Sequence, residues 1–167
     1  MTKRDIILAV ILTLASGGQI VLAFLFYNED ANTAIINLGW VILWVSAIFG
    51  WLPIFTFKRL GGVPKGKAYL HTTILVDRGV YAIVRHPQYL AGILIGLSLP
   101  LITQHWLVAV LGIIVIVINY VDTFNEEVSN IVKFGDEYRE YMQRVPRLNF
   151  LLGIVRLLLR KTDRKEN

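Results

Sequence analysis

Cysteine is absent from this chain of 167 residues, and charged residues make up only 17% of it. Without cysteine the chain has no disulfide, no thiolate nucleophile and no cysteine-ligated metal site. The low charge is equally informative, because a soluble globular domain is about 25% charged and less apolar than the 55% found here. The charges that are present lie between long uncharged runs. Such a distribution is typical of a chain whose solvent is lipid.

Common signatures of nucleotide-binding and metal enzymes are also missing. The chain contains no G-x-G-x-x-G run, no Walker loop and no H-E-x-x-H. His71 and His105 have no second ligand at metal-binding spacing, so no metal site is predicted. A net charge of +5 is compatible with nucleic acid, but the basic residues flank hydrophobic runs. Membrane headgroups are therefore the simpler partner, and no nucleic acid is expected.

The uncharged runs predict about four transmembrane helices, at residues 6–27, 34–57, 87–102 and 106–121. The first two cover the roughly 30 Å of a hydrocarbon core at helical rise. The last two cover only about 24 Å each, so both need flanking residues to cross. Residues 103–105 leave room for a tight turn alone, which makes this pair a helical hairpin, with a re-entrant hairpin as the alternative.

Lys and Arg indicate the orientation of these helices. They gather at the N-terminus, in the 58–85 connector (which includes Lys65 and Lys67) and in the tail, whereas the 28–32 and 103–105 loops carry none. Both termini and the connector are therefore expected in the cytosol. In the tail, apolar residues recur at helical spacing over 148–159 beside Arg147, Arg156 and Arg160. This segment is too short to span and is interpreted as an interfacial helix.

These elements predict one all-α, multi-pass membrane domain over residues 1–167. Residues 1–57 hold two N-terminal transmembrane helices, 58–147 the core with its functional residues, and 148–167 the interfacial, cytosolic tail.

Three segments carry the polar side chains that chemistry would need. The first is the run from Gly79 to Tyr89, where Arg85, His86 and Pro87 meet the start of the third helix. An ordinary interpretation is a headgroup anchor, a helix start and a tyrosine belt. A functional one uses the free N–H groups of the helix N-terminus to bind an anion such as a cofactor carboxylate.

The second segment is the end of the fourth helix. Asn119, Asp122, Glu126 and Asn130 fall at i, i+3, i+7 and i+11 and form one polar stripe. The stripe is either a helix end in water or the lining of a polar cavity. The third segment, residues 134–147, places Tyr138, Tyr141, Met142 and Val145 on one face of a helix that Pro146 stops, as in a packing helix.

Together these segments resemble the isoprenylcysteine carboxyl methyltransferase family and its relatives among phospholipid methyltransferases. The matching elements are the R-H-P-x-Y run from Arg85 to Tyr89, the Glu126-Glu127 pair and the F-G-x-E-Y-x-x-Y-x-x-x-V-P segment from Phe134 to Pro146. Their order and spacing agree with the family over roughly residues 70–150. The first two helices carry no matching signature.

The resemblance implies a membrane enzyme that uses S-adenosylmethionine without a soluble Rossmann domain, with its cofactor site at the cytosolic ends of the helices. It implies three catalytic residues, Glu126, His86 and Arg85. It implies that the cofactor is bordered by Thr73, Ile74, Leu75, Val76, Tyr81, His86, Pro87, Gln88, Tyr89 and Glu126. It implies that Asn119, Asp122 and Glu127 help to place the substrate. Asp122 departs from the eukaryotic enzymes, which carry an arginine one turn before Glu126.

The leading hypothesis is therefore methyl transfer to a lipophilic acceptor, first of all the carboxylate of an isoprenylated cysteine or an analogue. Bringing the two reactants together can supply roughly 7–11 kcal/mol of the barrier, and a carboxylate needs no general base. The first alternative is N-methylation of a phospholipid, in which Glu126, Glu127 or His86 would act as the base. A non-catalytic four-helix transport or assembly protein is the second alternative.

Overall fold

The computed structural model describes residues 3–28, 30–62, 66 and 72–163. Every regular element in that part of the chain is a helix, which confirms the predicted all-α fold. Lys65, Lys67 and His71 of the predicted connector lie outside the described residues. The α-helices of the described residues are α1 (Lys3–Leu25), α2 (Thr33–Leu60), α3 (Pro87–Thr103), α4 (Trp106–Phe134), α5 (Asp136–Arg144) and α6 (Phe150–Asp163).

Length separates α3 from the other apolar helices. Among the described residues α1, α2 and α4 are long and apolar enough to cross a bilayer. The apolar helix α3 has 17 residues and extends about 25 Å at helical rise, less than a hydrocarbon core of about 30 Å. The fourth predicted span ended near residue 121, whereas α4 continues to Phe134. The extension carries the predicted polar stripe, so α4 is apolar at its start and polar at its end.

The predicted tight turn joins α3 to α4 through Gln104 and His105 alone. Gln104 takes a left-handed backbone conformation with φ of 50°. Its side chain bonds the backbone of Asn32 twice, because Nε2 donates to the Asn32 oxygen at 3.0 Å and Oε1 accepts from the Asn32 nitrogen at 3.3 Å. Phe26 stacks on His105 with ring centroids 3.9 Å apart. The two loops that lack basic residues are thereby bonded to each other.

The helices form two compact units. The first consists of Met1–Ile48 and Tyr89–Asp122, and the second of Phe49–Gln88 and Thr123–Asn167. The first unit therefore holds α1, the start of α2, nearly all of α3 and most of α4. The second holds the ends of α2 and α4, a 3₁₀ turn at Gly79–Ala82, α5 and α6.

A buried glutamine joins three helices of the first unit. Gln19 of α1 is fully buried, and its Nε2 donates to the carbonyl oxygens of Gly96 in α3 at 3.0 Å and Val108 in α4 at 3.2 Å. Pro100 follows Gly96 by one helical turn and has no N–H, so the Gly96 carbonyl lacks its usual donor within α3. Gln19 supplies that donor, which is how interhelical polar contacts stabilise helices in lipid.

Small residues let α3 and α4 approach closely in the same unit. A methyl group added at Gly112 would lie 2.3 Å from the Gly96 oxygen and 2.6 Å from Nε2 of Gln19. A second close approach is at Gly39 of α2, where an added methyl group would lie 3.0 Å from the Ser98 oxygen of α3. Helix packing without a hydrophobic driving force depends on such approaches.

In the second unit, α5 is the packing helix predicted from residues 134–147. Tyr138, Tyr141 and Val145 are buried, and Met142 packs partly buried against them. The predicted apolar face is therefore confirmed. The helix ends at Arg144 because Val145 is extended, as the residue before a proline usually is.

The C-terminal helix α6 begins two residues later than the predicted segment 148–159. Asn149 caps it, since its Oδ1 accepts a hydrogen bond from the backbone nitrogen of Leu152 at 3.0 Å. Gly153 faces the interior, where an added methyl group would clash with the Ile83 oxygen. The exposed side chains are those of Arg156 and of six apolar residues, namely Leu151, Leu152, Ile154, Val155, Leu158 and Leu159.

We expect Gly112→Ala to destabilise the protein by roughly 1–3 kcal/mol, the usual cost of overpacking, because the new methyl group meets backbone and Gln19. Gly17→Ala in α1 is the matched control, since nothing lies within 4 Å of the added methyl group. Thermal unfolding of detergent-purified protein, followed by circular dichroism, measures both. Equal midpoints for the two variants would contradict the close α3–α4 approach.

Candidate functional site

The Arg85-His86 segment is held by the chain that follows α5. The Arg85 nitrogen donates to the Pro146 oxygen at 3.1 Å, and the His86 nitrogen donates to the Arg147 oxygen at 3.3 Å. The next residue, Pro87, begins α3, as predicted. Two segments that are sixty residues apart in sequence therefore run side by side in the second unit.

Glu127 of α4 is the centre of a buried ionic cluster in this unit. Its Oε1 lies 3.0 Å from Nη2 of Arg85 and 3.3 Å from Nε2 of His86. Arg147 binds it with two nitrogens, Nε to Oε1 at 3.0 Å and Nη2 to Oε2 at 2.5 Å. A buried carboxylate without partners is costly, so Glu127 requires these neighbours. Their bonds to it hold α4, the Arg85-His86 segment and the chain at Arg147 together.

The two adjacent acids of α4 have different surroundings. Consecutive residues of an α-helix point about 100° apart, so only one of the pair can face the cluster directly. The side chain of Glu127 is 5% exposed, whereas that of Glu126 is 41% exposed. Oε2 of Glu126 lies 4.0 Å from Nδ1 of His86. The imidazole therefore lies between a buried carboxylate and a solvent-accessible one.

Arg147 is a member of the cluster that the sequence did not reveal. The sequence places Arg147 with Arg156 and Arg160, beside the predicted interfacial helix. In the structure its guanidinium binds Glu127 and lies over the ring of Phe124, 3.7 Å from the centroid. The sequence feature that could have indicated this role is the position of Arg147 directly after Pro146, just past the end of α5. The chain runs past Arg85 at this point.

An open pocket adjoins the cluster and encloses about 560 Å³ when the open space at its mouth is included. One wall is the strap, which we define as residues 72–76. The end of α4 and the helix α5 form the other walls. The lining comprises Phe57, Thr72, Ile74, Leu75, Val76, Tyr81, Arg85, Glu126, Asn130, Lys133, Phe134, Tyr138 and Tyr141.

The strap is fixed at its start by bonds to two neighbours. The Thr73 nitrogen donates to the Gly61 oxygen at 2.9 Å, and its Oγ1 donates to the Gly62 oxygen at 2.9 Å. Nζ of Lys133 in α4 donates to the Thr72 oxygen at 2.5 Å. Gly62 has φ of 58°, and a side chain there would meet Thr73 and Ile74. The strap thus lies between the end of α2 and α4.

The predicted cofactor residues fall into three groups. Those in the pocket lining are Ile74, Leu75, Val76, Tyr81 and Glu126. Those of the second unit outside this lining are Thr73, His86, Pro87 and Gln88, of which His86 and Pro87 are buried. Tyr89 belongs to the first unit.

The predicted substrate residues are also divided between the units. Glu127 belongs to the second unit, and Asn119 and Asp122 belong to the first. Nδ2 of Asn119 donates to the Val115 oxygen at 2.8 Å. Its side chain is buried next to Gly92, where an added methyl group would lie 2.5 Å from Oδ1.

Several pocket residues were predicted for another role or for none. The sequence predicts Asn130 in the polar stripe and Tyr138 and Tyr141 on the packing face of α5, and it predicts no role for Lys133. The hydroxyl of Tyr141 donates to the Tyr81 oxygen at 2.7 Å, which fixes α5 to the 3₁₀ turn. The ring of Tyr81 stacks on Phe57, with centroids 4.5 Å apart.

Burial shifts the pKa values of three groups around the pocket. It lowers the pKa of Arg85, although the charge of Glu127 opposes this shift. It raises the pKa of Tyr138 to about 12, against the effect of a hydrogen bond with Asn130. It raises the pKa of Tyr141 as well. Both phenols are therefore neutral at physiological pH and act as hydrogen-bonding groups.

Arg85 has capacity left for a ligand. Its side chain is 8% exposed and lines the pocket, yet Nε and Nη1 have no hydrogen-bond partner among the described residues. A buried guanidinium N–H without a partner is costly. An anionic group that reached these two buried nitrogens from the pocket would remove that cost. Among the described residues no three His, Asp or Glu side chains are grouped as metal ligands.

We expect Glu127→Gln to destabilise the protein by roughly 3 kcal/mol, because it leaves Arg85 and Arg147 without their counter-charge. This is the low end for breaking a buried ion pair, since Arg147 is 26% exposed. Glu126→Gln, at the adjacent and more exposed position, should change stability by less than about 0.5 kcal/mol. Thermal unfolding compares the two, and equal losses would contradict the central position of Glu127.

A model of the phospholipid methyltransferase family matches residues 36–135. The match includes Arg85, His86 and the adjacent Glu126 and Glu127 of α4, and it confirms the resemblance found in the sequence. No curated protein and no solved structure shows significant similarity to the chain. Because the matched range is well over half of the 167 residues, the chain belongs to the phospholipid methyltransferase family and is a membrane methyltransferase.

Proposed function

We propose that the pocket of the second unit binds S-adenosylmethionine, the methyl donor that membership of the family implies. The observation that carries this proposal is that Nε and Nη1 of Arg85, whose side chain lines the pocket, have no hydrogen-bond partner in the part of the chain that the structure describes. A guanidinium with free N–H groups is suited to a carboxylate, which can accept two bonds from it.

The other charged and aromatic residues of the lining also fit this cofactor. Glu126 is a carboxylate with solvent access and suits the cofactor's ammonium group. Phe57 and Phe134, which line the pocket and are only partly buried, offer aromatic surface for an adenine ring. The pocket therefore contains groups complementary to the carboxylate, the ammonium and the adenine of the cofactor.

Within this proposal the chain's own residues mainly hold and orient the reactants. When bound, the cofactor supplies an electrophilic methyl group on a positively charged sulfur. Arg85 holds an anionic group, and Glu127 fixes Arg85 and His86 through the buried cluster. Glu126, adjacent to His86, is the group at the pocket that can accept a proton. Orientation of this kind can supply roughly 7–11 kcal/mol.

We propose that the methyl acceptor is lipophilic and that its leading candidate is the carboxylate of an isoprenylated cysteine or an analogue. The described lining has two cations, Arg85 and Lys133, and one acid, Glu126, which favours ligands with anionic groups. A carboxylate acceptor also needs no base. The second candidate is the amine of an aminophospholipid, which the family description favours and for which Glu126 would act as base.

We further propose that α1–α4 all cross the membrane, with both termini and the 58–85 connector in the cytosol. The loops without basic residues are bonded to each other through Gln104 and Asn32, which supports their position on one side. Lys and Arg crowd the other segments. Because the chain lacks cysteine, single engineered cysteines labelled from either side would test this orientation.

For the cofactor site, we expect S-adenosylhomocysteine to bind detergent-purified wild-type protein saturably in titration calorimetry. Arg85→Lys keeps the charge but loses the forked N–H groups, and it should weaken binding about tenfold. Glu126→Gln should weaken it severalfold through loss of the carboxylate charge.

The control for these variants is Arg139→Gln on α5. Arg139 is 58% exposed, pairs with Asp136 on the surface and is not among the pocket residues. It should bind like the wild type. A folded wild-type protein without saturable binding would contradict the proposed site.

For the acceptor, we expect membranes given methyl-labelled cofactor to form a base-labile methyl ester. At saturating cofactor, Glu126→Gln should leave this product nearly unchanged, because a carboxylate needs no proton removed. Label in a base-stable lipid headgroup, reduced at least tenfold in Glu126→Gln, would instead support the aminophospholipid. A protein that binds the cofactor product but forms neither methylated species would contradict both acceptors.

A further inference from the structure

We propose that Arg147 is a positioning residue that keeps Arg85 available to an anionic group of the ligand. The inference rests on the proposed cofactor pocket, because Arg85 lines it. Arg147 acts through Glu127 rather than through a contact of its own with the ligand. By binding both oxygens of that carboxylate, it prevents Glu127 from engaging Arg85 fully.

The geometry of Glu127 carries this argument. Arg147 takes both carboxylate oxygens, with Nε at 3.0 Å from Oε1 and Nη2 at 2.5 Å from Oε2. Arg85 makes a single contact, from Nη2 to Oε1 at 3.0 Å. Nε and Nη1 of Arg85 are left without a partner among the described residues. Glu127 therefore makes two hydrogen bonds with Arg147 but only one contact with Arg85, the arginine that lines the pocket.

Without Arg147, the hydrogen bonds between Glu127 and Arg85 would change. A carboxylate and a guanidinium prefer two parallel hydrogen bonds, so Glu127 would turn toward Arg85 and pair with it in that way. The nitrogens of Arg85 that now lack a partner would then be occupied inside the protein. An anionic group arriving in the pocket would have to displace Glu127 to reach them.

The charge of the cluster also supports binding of an anionic ligand group next to Arg85. Two arginines face one buried carboxylate, and His86 contributes a third donor to the same oxygen, Oε1 of Glu127. The two arginines thus carry one positive charge more than Glu127 neutralises, which is costly where the guanidinium is shielded from water, as that of Arg85 is. The ring of Phe124 lies under Arg147 and offsets part of that cost. A ligand carboxylate next to Arg85 would balance the remainder.

The test compares two ligands by calorimetry. S-adenosylhomocysteine carries the carboxylate, whereas its decarboxylated analogue keeps the nucleoside, the sulfur and the amine. We expect Arg147→Gln to weaken binding of S-adenosylhomocysteine about tenfold, the effect of losing one charge-assisted hydrogen bond. Binding of the decarboxylated analogue should change by less than about twofold, because it does not use the guanidinium of Arg85.

Arg147→Lys and Arg139→Gln complete the experiment. Lysine keeps the positive charge beside Glu127 but cannot bind both oxygens in parallel, so it should recover part of the affinity. It also keeps the test decisive if Arg147→Gln folds poorly in thermal unfolding. Arg139→Gln should bind both ligands like the wild type.

The outcomes separate this inference from the proposed function. Equal weakening of both ligands by the Arg147 variants, or no weakening of either, would overturn the positioning role. Wild-type protein that binds neither ligand would contradict the cofactor pocket itself, and the role of Arg147 with it. Selective loss of the carboxylate ligand is the result that supports the inference.

Discussion

The ionic cluster around Glu127 is the interaction on which the second unit depends. A carboxylate that is 5% exposed on α4 requires cationic partners, and it obtains them from Arg85 and from Arg147. These two arginines are distant in sequence, so the cluster brings their segments together. The backbone bonds from Arg85 to Pro146 and from His86 to Arg147 follow the same path. The pocket owes its position to this arrangement, since Arg85 is at once a partner of Glu127 and part of the lining.

Local patterns explain why much of the fold could be predicted. Long uncharged runs identify α1, α2 and α4, because lipid excludes unpaired charge and unbonded backbone. The apolar spacing of Tyr138, Tyr141 and Val145 predicts α5 and its buried face. Helix ends were less predictable, because they depend on single bonds such as the cap that Asn149 provides to α6. The family was also accessible, since its motifs keep a fixed order along the chain.

The site depends on tertiary contacts that no sequence spacing contains. Glu126 and Glu127 are neighbours in sequence, and only the packing of α4 decides which of them faces the interior. Arg147 has the same ambiguity, because a basic residue before an amphipathic helix usually serves headgroups. Lys133 and Asn130 enter the pocket lining through the path of the strap past α4. In each case the residue type can be read from the sequence, but its contact partner in the folded protein cannot.

The two units satisfy their buried polar groups by different chemistry, and the difference locates the site. In the first unit neutral side chains bond to backbone carbonyls, as Gln19 does with Gly96 and Ser46 with Ala91. Such bonds stabilise helices in lipid at little electrostatic cost. In the second unit the buried groups include the ions Glu127 and Arg85, and lipid tolerates ions only where they are paired or serve a function. Glu127 could have been paired by Arg147 alone, with two bonds of its own. The additional presence of Arg85, whose Nε and Nη1 have no hydrogen-bond partner among the described residues, therefore supports the proposal of a ligand that bears the opposite charge.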